Sequence, residues 1–208
     1  LIITRSNKRT NLFNQGVRAR ILWKEDELSA GDRLMVCKNN YFWTKDYENL
    51  PFIANGDMFE VVRLRHEREM YGFRFVEASL RAMDYDFEID CMLWIDSLLV
   101  DSPADTVALQ KQLFTRIAED YPEIRNRKEL TKKIFESPYY NALQVRFAYA
   151  VTCHKAQGGQ WKRVFLDLPL TVSSSTSFEG GHPMQQREYL RWLYTAVTRA
   201  TETLFVLQ

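Results

Sequence analysis

The 208-residue sequence has little cysteine, almost no net charge and no long apolar run. Its three cysteines, Cys37, Cys91 and Cys153, are odd in number and far apart. That spacing excludes a disulfide framework and suits a reducing compartment, so a cytoplasmic location is expected. Lys and Arg number 28 against 27 Asp and Glu, a formal net charge of +1. A near-neutral chain has no global basic field, so any nucleic-acid binding must come from local patches. No apolar run approaches the roughly 18 residues of a membrane span. No signal-peptide pattern opens the sequence, and no membrane partner is expected. The first residues, LIITRSN, start without Met and run straight into a strand-like stretch, as in a piece of a longer protein.

Two further absences concern chemistry. The phosphate-loop string G-x-x-x-x-G-K-[ST] occurs nowhere. Nor does an Asp-Glu pair follow an apolar strand, where it could hold Mg²⁺. The three histidines lack metal-ligand spacing, so no metal site is expected. No nuclease residues are evident.

What the chain does have is 46% hydrophobic residues, enough to bury a proper core. Ile2–Thr4 reads as a strand, with Ser6 or Asn7 as the cap of a following helix from Lys8 to about Leu22. Leu12, Phe13, Val17 and Ile21 fall at helical spacing on what should be its buried face. From Gly31 to Leu99, short runs rich in Val, Phe, Tyr and Trp alternate with turn residues, and Asn55-Gly56 is a tight-turn signal. Four or five strands at this spacing predict a small antiparallel barrel. Asp101, Ser102 and Pro103 open a helix to about Asp120, with Leu109, Leu113 and Ile117 on one face. A charged second helix follows over about 126–136. Val145–Val151 and Val164–Leu168 are near-continuous apolar runs. Gln185–Val197 is amphipathic, with Tyr189, Leu190, Leu193 and Val197 inward, and Leu204–Leu207 closes the chain as a strand. Buried strands alternating with helices predict a parallel sheet. The expected division is residues 1–30 with 138–208 in that sheet, 31–100 in an inserted barrel and 101–137 in a helical pair.

The most informative stretch is VTCHKAQGGQWKRVFLD, Val151 to Asp167. A buried strand should end at Val151, Thr152 should cap about one helical turn, and Gly158 should supply a left-handed end. Unpaired backbone N–H groups at such a turn attract an anion. Thr152 and His154 can donate hydrogen bonds, and Lys155 adds charge. Taken alone, T-x-H-K is more often a capped turn with a solvated lysine. The longer string T-x-H-K-x-Q-G-G between two buried strands is far more specific.

AYAVTCHKAQGGQWKRVFLD resembles motif V of superfamily-one helicases, above all the RecD-like ones. LYTAVTRATETLFVL (Leu193–Leu207) resembles motif VI of the same enzymes. ITRSNKRTNLFNQGVR (Ile3–Arg18) resembles the opening of their second RecA-like domain. The three segments stand in the family's order, and RecD-like members carry an SH3-like barrel where a barrel is expected here. The resemblance implies a RecA-like parallel sheet with an inserted SH3-like barrel and helical pair. It implies the C-terminal motor half of an ATP-dependent 5′-to-3′ DNA helicase serving repair or recombination, with a helicase–nuclease complex as one setting. The partners implied are single-stranded DNA and an N-terminal RecA-like domain of the same chain, which would bind most of ATP and Mg²⁺. This half alone should not hydrolyse ATP.

Site residues carry over from the resemblance. Arg199 matches the arginine finger of motif VI, catalytic and nucleotide-binding. Gln157, Gly158 and Gln160 match the nucleotide side of motif V; many relatives have Glu where Gln160 stands. Thr152 and His154, with Lys155, match the DNA side, and Asn7, with Arg5 nearby, matches a DNA-phosphate contact. The other class of function is a non-catalytic nucleic-acid or protein binding module derived from a helicase, which would not need Arg199. Cys153 beside His154 is not expected to be a catalytic dyad, since sequence neighbours do not face each other. Arg125, Arg127, Lys128, Lys132 and Lys133 read as a solvated face, Tyr41, Phe42 and Trp43 as barrel core, and the Ser- and Gly-rich stretch 171–182 as a mobile loop.

Overall fold

The β-branched run at the start forms β1 (Ile2–Thr4), with Ile3 and Thr4 fully buried. In the computed structural model it lies between β7 (Ala150–Thr152) and β8 (Trp161–Asp167) in a parallel sheet. β9 (Ala200–Leu207) pairs parallel to β8, giving the order β7-β1-β8-β9. The structure describes all residues except 49, 101, 169–185 and 208. The stretch 171–182, expected to be a mobile loop, lies outside the described residues, as do Asp101 and Gln185. The chain divides into two compact units, residues 1–22 with 149–208, and residues 23–148.

In the first unit, α1 (Asn7–Gly16) begins at Ser6, whose Oγ accepts from the Arg9 N–H at 3.3 Å. A π-helical turn over Val17–Ile21 follows. The buried face of this segment is Thr10, Asn14 and Arg18, not the expected Leu12, Phe13, Val17 and Ile21. Leu12 and Ile21 are exposed. The reason lies in what the helix packs against. β7 is an edge strand, and an open edge presents unpaired backbone groups. The Asn14 side chain closes it: Nδ2 donates to the Ala150 carbonyl at 3.1 Å, and the Ala150 N–H donates to Oδ1 at 2.7 Å. One amide thus replaces a neighbouring strand at that residue. α4 (Gln186–Val197) buries Trp192 and Ala196, with Tyr189, Leu193 and Val197 half-buried. Leu190, expected inward, is 55% exposed.

The second unit is a closed barrel of β2 (Arg33–Val36), β3 (Met58–Met70), β4 (Phe73–Ala82), β5 (Glu88–Trp94) and β6 (Leu143–Phe147). Alternation along each strand sends one set of apolar residues inward, among them Leu34, Phe59, Leu80, Ile89 and Val145. The expected single run Val145–Val151 is divided. Its first half is β6, antiparallel to β2 and parallel to β5, and its second half is β7. Without β6 the barrel would keep two open edges. Residues 143–147 therefore belong to the barrel and not to the parallel sheet. Asn55-Gly56 makes a turn, with the Asp57 N–H on the Ala54 carbonyl at 3.1 Å, but joins no hairpin. The tight hairpin is β3–β4 through Tyr71-Gly72, both at positive φ (57° and 64°), as a two-residue primed turn requires. A side chain at Gly72 would have to adopt the left-handed conformation and displace the Arg116 guanidinium, whose Nη1 a Cβ would meet at 1.9 Å.

α2 (Pro103–Ala118) and α3 (Arg127–Phe135) pack on the outer face of β4 and β5. Leu113, Ile117 and Ile134 cluster there with Phe73, Phe75 and Trp94. Asn126 caps α3, its Oδ1 accepting from the Lys128 N–H at 3.0 Å. Arg125, Arg127, Lys128, Lys132 and Lys133 are exposed, as a solvated face should be. Trp43 is half-buried against the helix cluster, but Tyr41 is 60% exposed and is not core.

The Asn14 clamp has a measurable consequence. Asn14→Ala orphans two buried backbone groups, each worth about 1–3 kcal/mol. Leu12→Ala, on the exposed face, should stay within about 0.5 kcal/mol of wild type. Urea unfolding of both variants checks this, and equal midpoints would refute the clamp.

Candidate nucleic-acid and nucleotide site

Parallel pairing sets the geometry of the first unit. Ile3 is level with Val151 and with Leu166, so the segments leaving β1 and β7 emerge at the same carboxyl edge of the sheet. There the Cys153 N–H donates to the Thr4 carbonyl at 3.0 Å, fastening one exit to the other. The turn into α1 is held by hydroxyls: Thr4 Oγ1 and Thr10 Oγ1 lie 2.6 Å apart, and both reach the Ser6 carbonyl. This edge brings together the expected DNA-contacting residues. Arg5, Asn7, Thr152 and Lys155 are half-buried on it, and His154 is exposed. Ser6, not Asn7, is the cap residue, and α1 has no acidic side chain in its first turn to offset its positive end.

A group that sequence reasoning missed also stands here. Asp167, buried at the end of β8, takes the Arg9 guanidinium through two hydrogen bonds, Nε to Oδ2 at 2.9 Å and Nη2 to Oδ1. The hydrogen bond to Asp167 raises the Arg9 pKa further, against the cost of burial. The carboxylate ending the run VFLD was a visible signal, but its partner lies 158 positions away.

From Thr152 the chain makes a tight turn. The Lys155 N–H donates to the Thr152 carbonyl at 2.9 Å. The Ala156 N–H is shared between Thr152 and Cys153 carbonyls at 3.1 and 3.2 Å. Gly158 then adopts φ 86°, the left-handed end that the sequence predicts. Ala156 and Cys153 are buried beneath the turn, whereas Gln157, Gly158 and Gln160 are exposed. Burial raises the Cys153 thiol pKa, with Arg199 opposing, and its Sγ lies 3.6 Å from the Trp192 carbonyl. Buried Cys153 and exposed His154 are not a dyad.

The eight residues 153–160 carry the chain from the carboxyl edge back to the amino edge, where β8 starts. Trp161 stands five residues before Leu166, roughly 16 Å back along the sheet. At that lower end the loop meets Arg199, in the turn between α4 and β9. Arg199 Nη1 donates to the Gly159 carbonyl at 3.1 Å, Nε to Thr195 O at 3.0 Å and Nη2 to Thr198 Oγ1 at 3.1 Å. Its own carbonyl accepts from the Trp161 N–H at 2.9 Å. So Arg199 is brought against Gly158–Gln160, and the Arg5, Asn7, Thr152 and His154 group stands at the opposite edge. Among the described residues, no group of three or more His, Cys, Asp or Glu side chains is placed to hold a metal ion, and no helix is long and apolar enough to cross a membrane.

A family model, the UvrD-like helicase C-terminal domain, matches residues 147–207, which include both the Thr152–Gln160 loop and Arg199. No curated protein matches the chain. Among solved structures, Bacteroides Pif1 bound to single-stranded DNA is similar at 14% identity and a TM-score of 0.47, over 99% of this chain and 40% of that one. Bacteroides Pif1 helicase with ADP-AlF3 and single-stranded DNA is similar at 12% identity and a TM-score of 0.47, over 100% and 40%. Candida albicans Pif1 helicase gives 11% identity and a TM-score of 0.46, over 100% and 44%. The chain spans about two fifths of the length of these proteins, and likenesses this coarse carry no functional argument.

Gly158 isolates the backbone requirement of the turn. A Cβ there meets nothing within 4 Å, so substitution costs only the left-handed conformation. Gly158→Ala should destabilise by about 1–2 kcal/mol, and Gly158→Asn by less, since Asn visits that region more readily. Equal thermal stability of wild type and Gly158→Ala would show that the turn relaxes freely.

Proposed function

We propose that this chain is the C-terminal motor part of an ATP-dependent, superfamily-one DNA helicase, RecD-like in its motif segments. The first unit would be its second RecA-like domain and the barrel its SH3-like insertion. The 5′-to-3′ polarity, and work in repair, recombination or a helicase–nuclease complex, rest on that resemblance alone. The observation that carries the reading is the hydrogen bond from Arg199 to Gly159. It joins the two motif-bearing segments at one edge of the sheet, and the same loop begins at Thr152 and His154 on the other edge.

The chemistry follows from the donors. A guanidinium is always charged and offers five N–H groups in a fork that matches phosphate oxygens. Here all three Arg199 nitrogens donate to uncharged acceptors, which a phosphate outcompetes as a charge-assisted partner. ATP would supply that phosphate. Arg199 turning Nη1 from the Gly159 carbonyl to the terminal phosphate would stabilise charge growing in hydrolysis and release the lower end of the 153–160 loop. Thr152, His154 and Lys155 at its upper end, with Arg5 and Asn7 beside them, would hold phosphates of single-stranded DNA. Gln157, Gly158 and Gln160, exposed next to Arg199, would meet the rest of the nucleotide. An N-terminal RecA-like domain would hold Mg²⁺ and the remaining phosphates.

The test is DNA-stimulated ATPase of the full-length protein. A finger acts on transition-state charge, so Arg199→Ala should lower kcat about 10³- to 10⁵-fold while nucleotide still binds. Arg199→Lys should also fail, because an ammonium cannot reproduce the fork. ATPase of Arg199→Ala within about threefold of wild type, less than roughly 1 kcal/mol of barrier, would remove the main support for the motor.

A further inference from the structure

The barrel unit holds a cleft of about 360 Å³ that the motor reading does not use. Its walls come from the segment after β2, from α2 and the end of α3, and from the residues leading into β6. The lining is chemically one-sided. It has four aromatic rings, two lysines and five side-chain amides, but no carboxylate. Tyr41 is 60% exposed and Phe135 is 52% exposed, large areas of ring left to water. Phe135 is already one half of a stack, 5.2 Å from Tyr140 with planes 15° apart. Lys45 sits 4.2 Å over the Phe42 ring. Lys38, exposed at the mouth, donates to Gln110 Oε1 at 3.1 Å, and partial desolvation of its amine lowers its pKa. Among the described residues neither lysine meets a carboxylate.

The walls are prebuilt. Asn40 Nδ2 and Trp43 Nε1 both donate to the Asn141 carbonyl at 2.8 Å, and Asn141 Nδ2 donates to the Phe135 carbonyl at 2.7 Å. Such bonds hold the backbone that carries the rings, and Tyr41 also packs on Phe52 at 5.1 Å between centroids, which lowers the ordering cost of binding. A ligand suited to this lining has a flat face for the rings, polar edges for the amides and a negative charge for the lysines. A nucleotide has all three, and the volume is near the lower end for small-ligand pockets, room for about one. Base–aromatic stacking is tolerant of sequence, because every base has a π-face.

We propose that this cleft binds one unpaired nucleotide of a nucleic-acid strand, its base against Tyr41 and Phe135 and its phosphate at Lys38 and Lys45. The site is separate from the Thr152 edge and independent of the Arg199 reading. A bound phosphate would give Lys38 the counter-charge that its surroundings lack.

The experiment uses the 208-residue chain and an eight-nucleotide oligothymidylate carrying 5-iododeoxyuridine, with photo-crosslinks mapped by mass spectrometry. Adducts are expected on peptides containing Tyr41 or Phe135–Tyr140. Tyr41→Ala with Phe135→Ala should reduce them at least tenfold while the chain stays folded at the assay temperature, since both rings are largely exposed. Tyr41→Trp should keep them. Thr152→Ala with His154→Ala should leave them intact, which separates this site from the motor edge. Thymidine monophosphate, at the same nucleotide concentration, should fail to displace the strand. Equal displacement would overturn the strand in favour of a free nucleotide. Adducts confined to residues 5–7 and 152–155, or displacement by polyglutamate as effective as by oligothymidylate, would overturn the cleft as a nucleotide site and leave the motor reading standing.

Discussion

Three residues, Ile2 to Thr4, align everything the first unit does. β1 pairs with β7 on one side and β8 on the other, joining segments about 150 positions apart in sequence. That register places the exits of β1 and β7 at one height, and the Cys153–Thr4 bond fastens them. Such a short strand has few ladder bonds, so side chains finish the sheet. Asn14 caps the outer edge at Ala150, and Arg9 holds Asp167 at the end of β8. A shift of one residue in β1 would turn Ile3 out of the core and carry Arg5 and Asn7 away from Thr152.

The same register explains the reach of the 153–160 loop. Parallel strands need a crossover, usually a dozen or more residues with a helix. Here eight residues pass from β7 over β1 to β8, in a compact turn followed by two glycines. The loop is short and pinned at both ends, above by the Thr4 carbonyl and below by Arg199. In the proposed motor, a segment of this kind would carry displacement from one end to the other. The Arg199 guanidinium is the part of that link whose partners a phosphate would replace.

Local patterns were legible and pairings were not. Alternation in β2 to β5 predicted the barrel, and Gly158 predicted its own left-handed turn. The parallel sheet was legible from its apolar runs, including the return of the chain's start to the sheet of its end. The run Val145–Val151 misled, because a continuous apolar stretch does not record that its halves serve two different sheets. Leu12 and Ile21 misled because helical periodicity assumes an apolar partner, and α1 packs against an edge strand whose backbone needs an amide. The polar stripe Thr10, Asn14, Arg18 carries the same period and was the correct face. Tyr41 was assigned to core on frequency, but its ring stands exposed at the cleft of the barrel unit. Arg9–Asp167 and Arg199–Gly159 join residues 158 and 40 positions apart, which no local rule connects.

The central claim is that Arg199 couples phosphate at one sheet edge to DNA contacts at the other. Coupling between two sites is a measurable factor in binding. The direct measurement is single-stranded DNA affinity of the full-length protein, with and without a non-hydrolysable ATP analogue, for wild type and Arg199→Ala. The account predicts an affinity change of about fivefold or more on nucleotide addition in wild type, within the usual range of such couplings. In Arg199→Ala that change should fall to nearly none, with affinity in the absence of nucleotide preserved. The same nucleotide-dependent change in both proteins would contradict the claim.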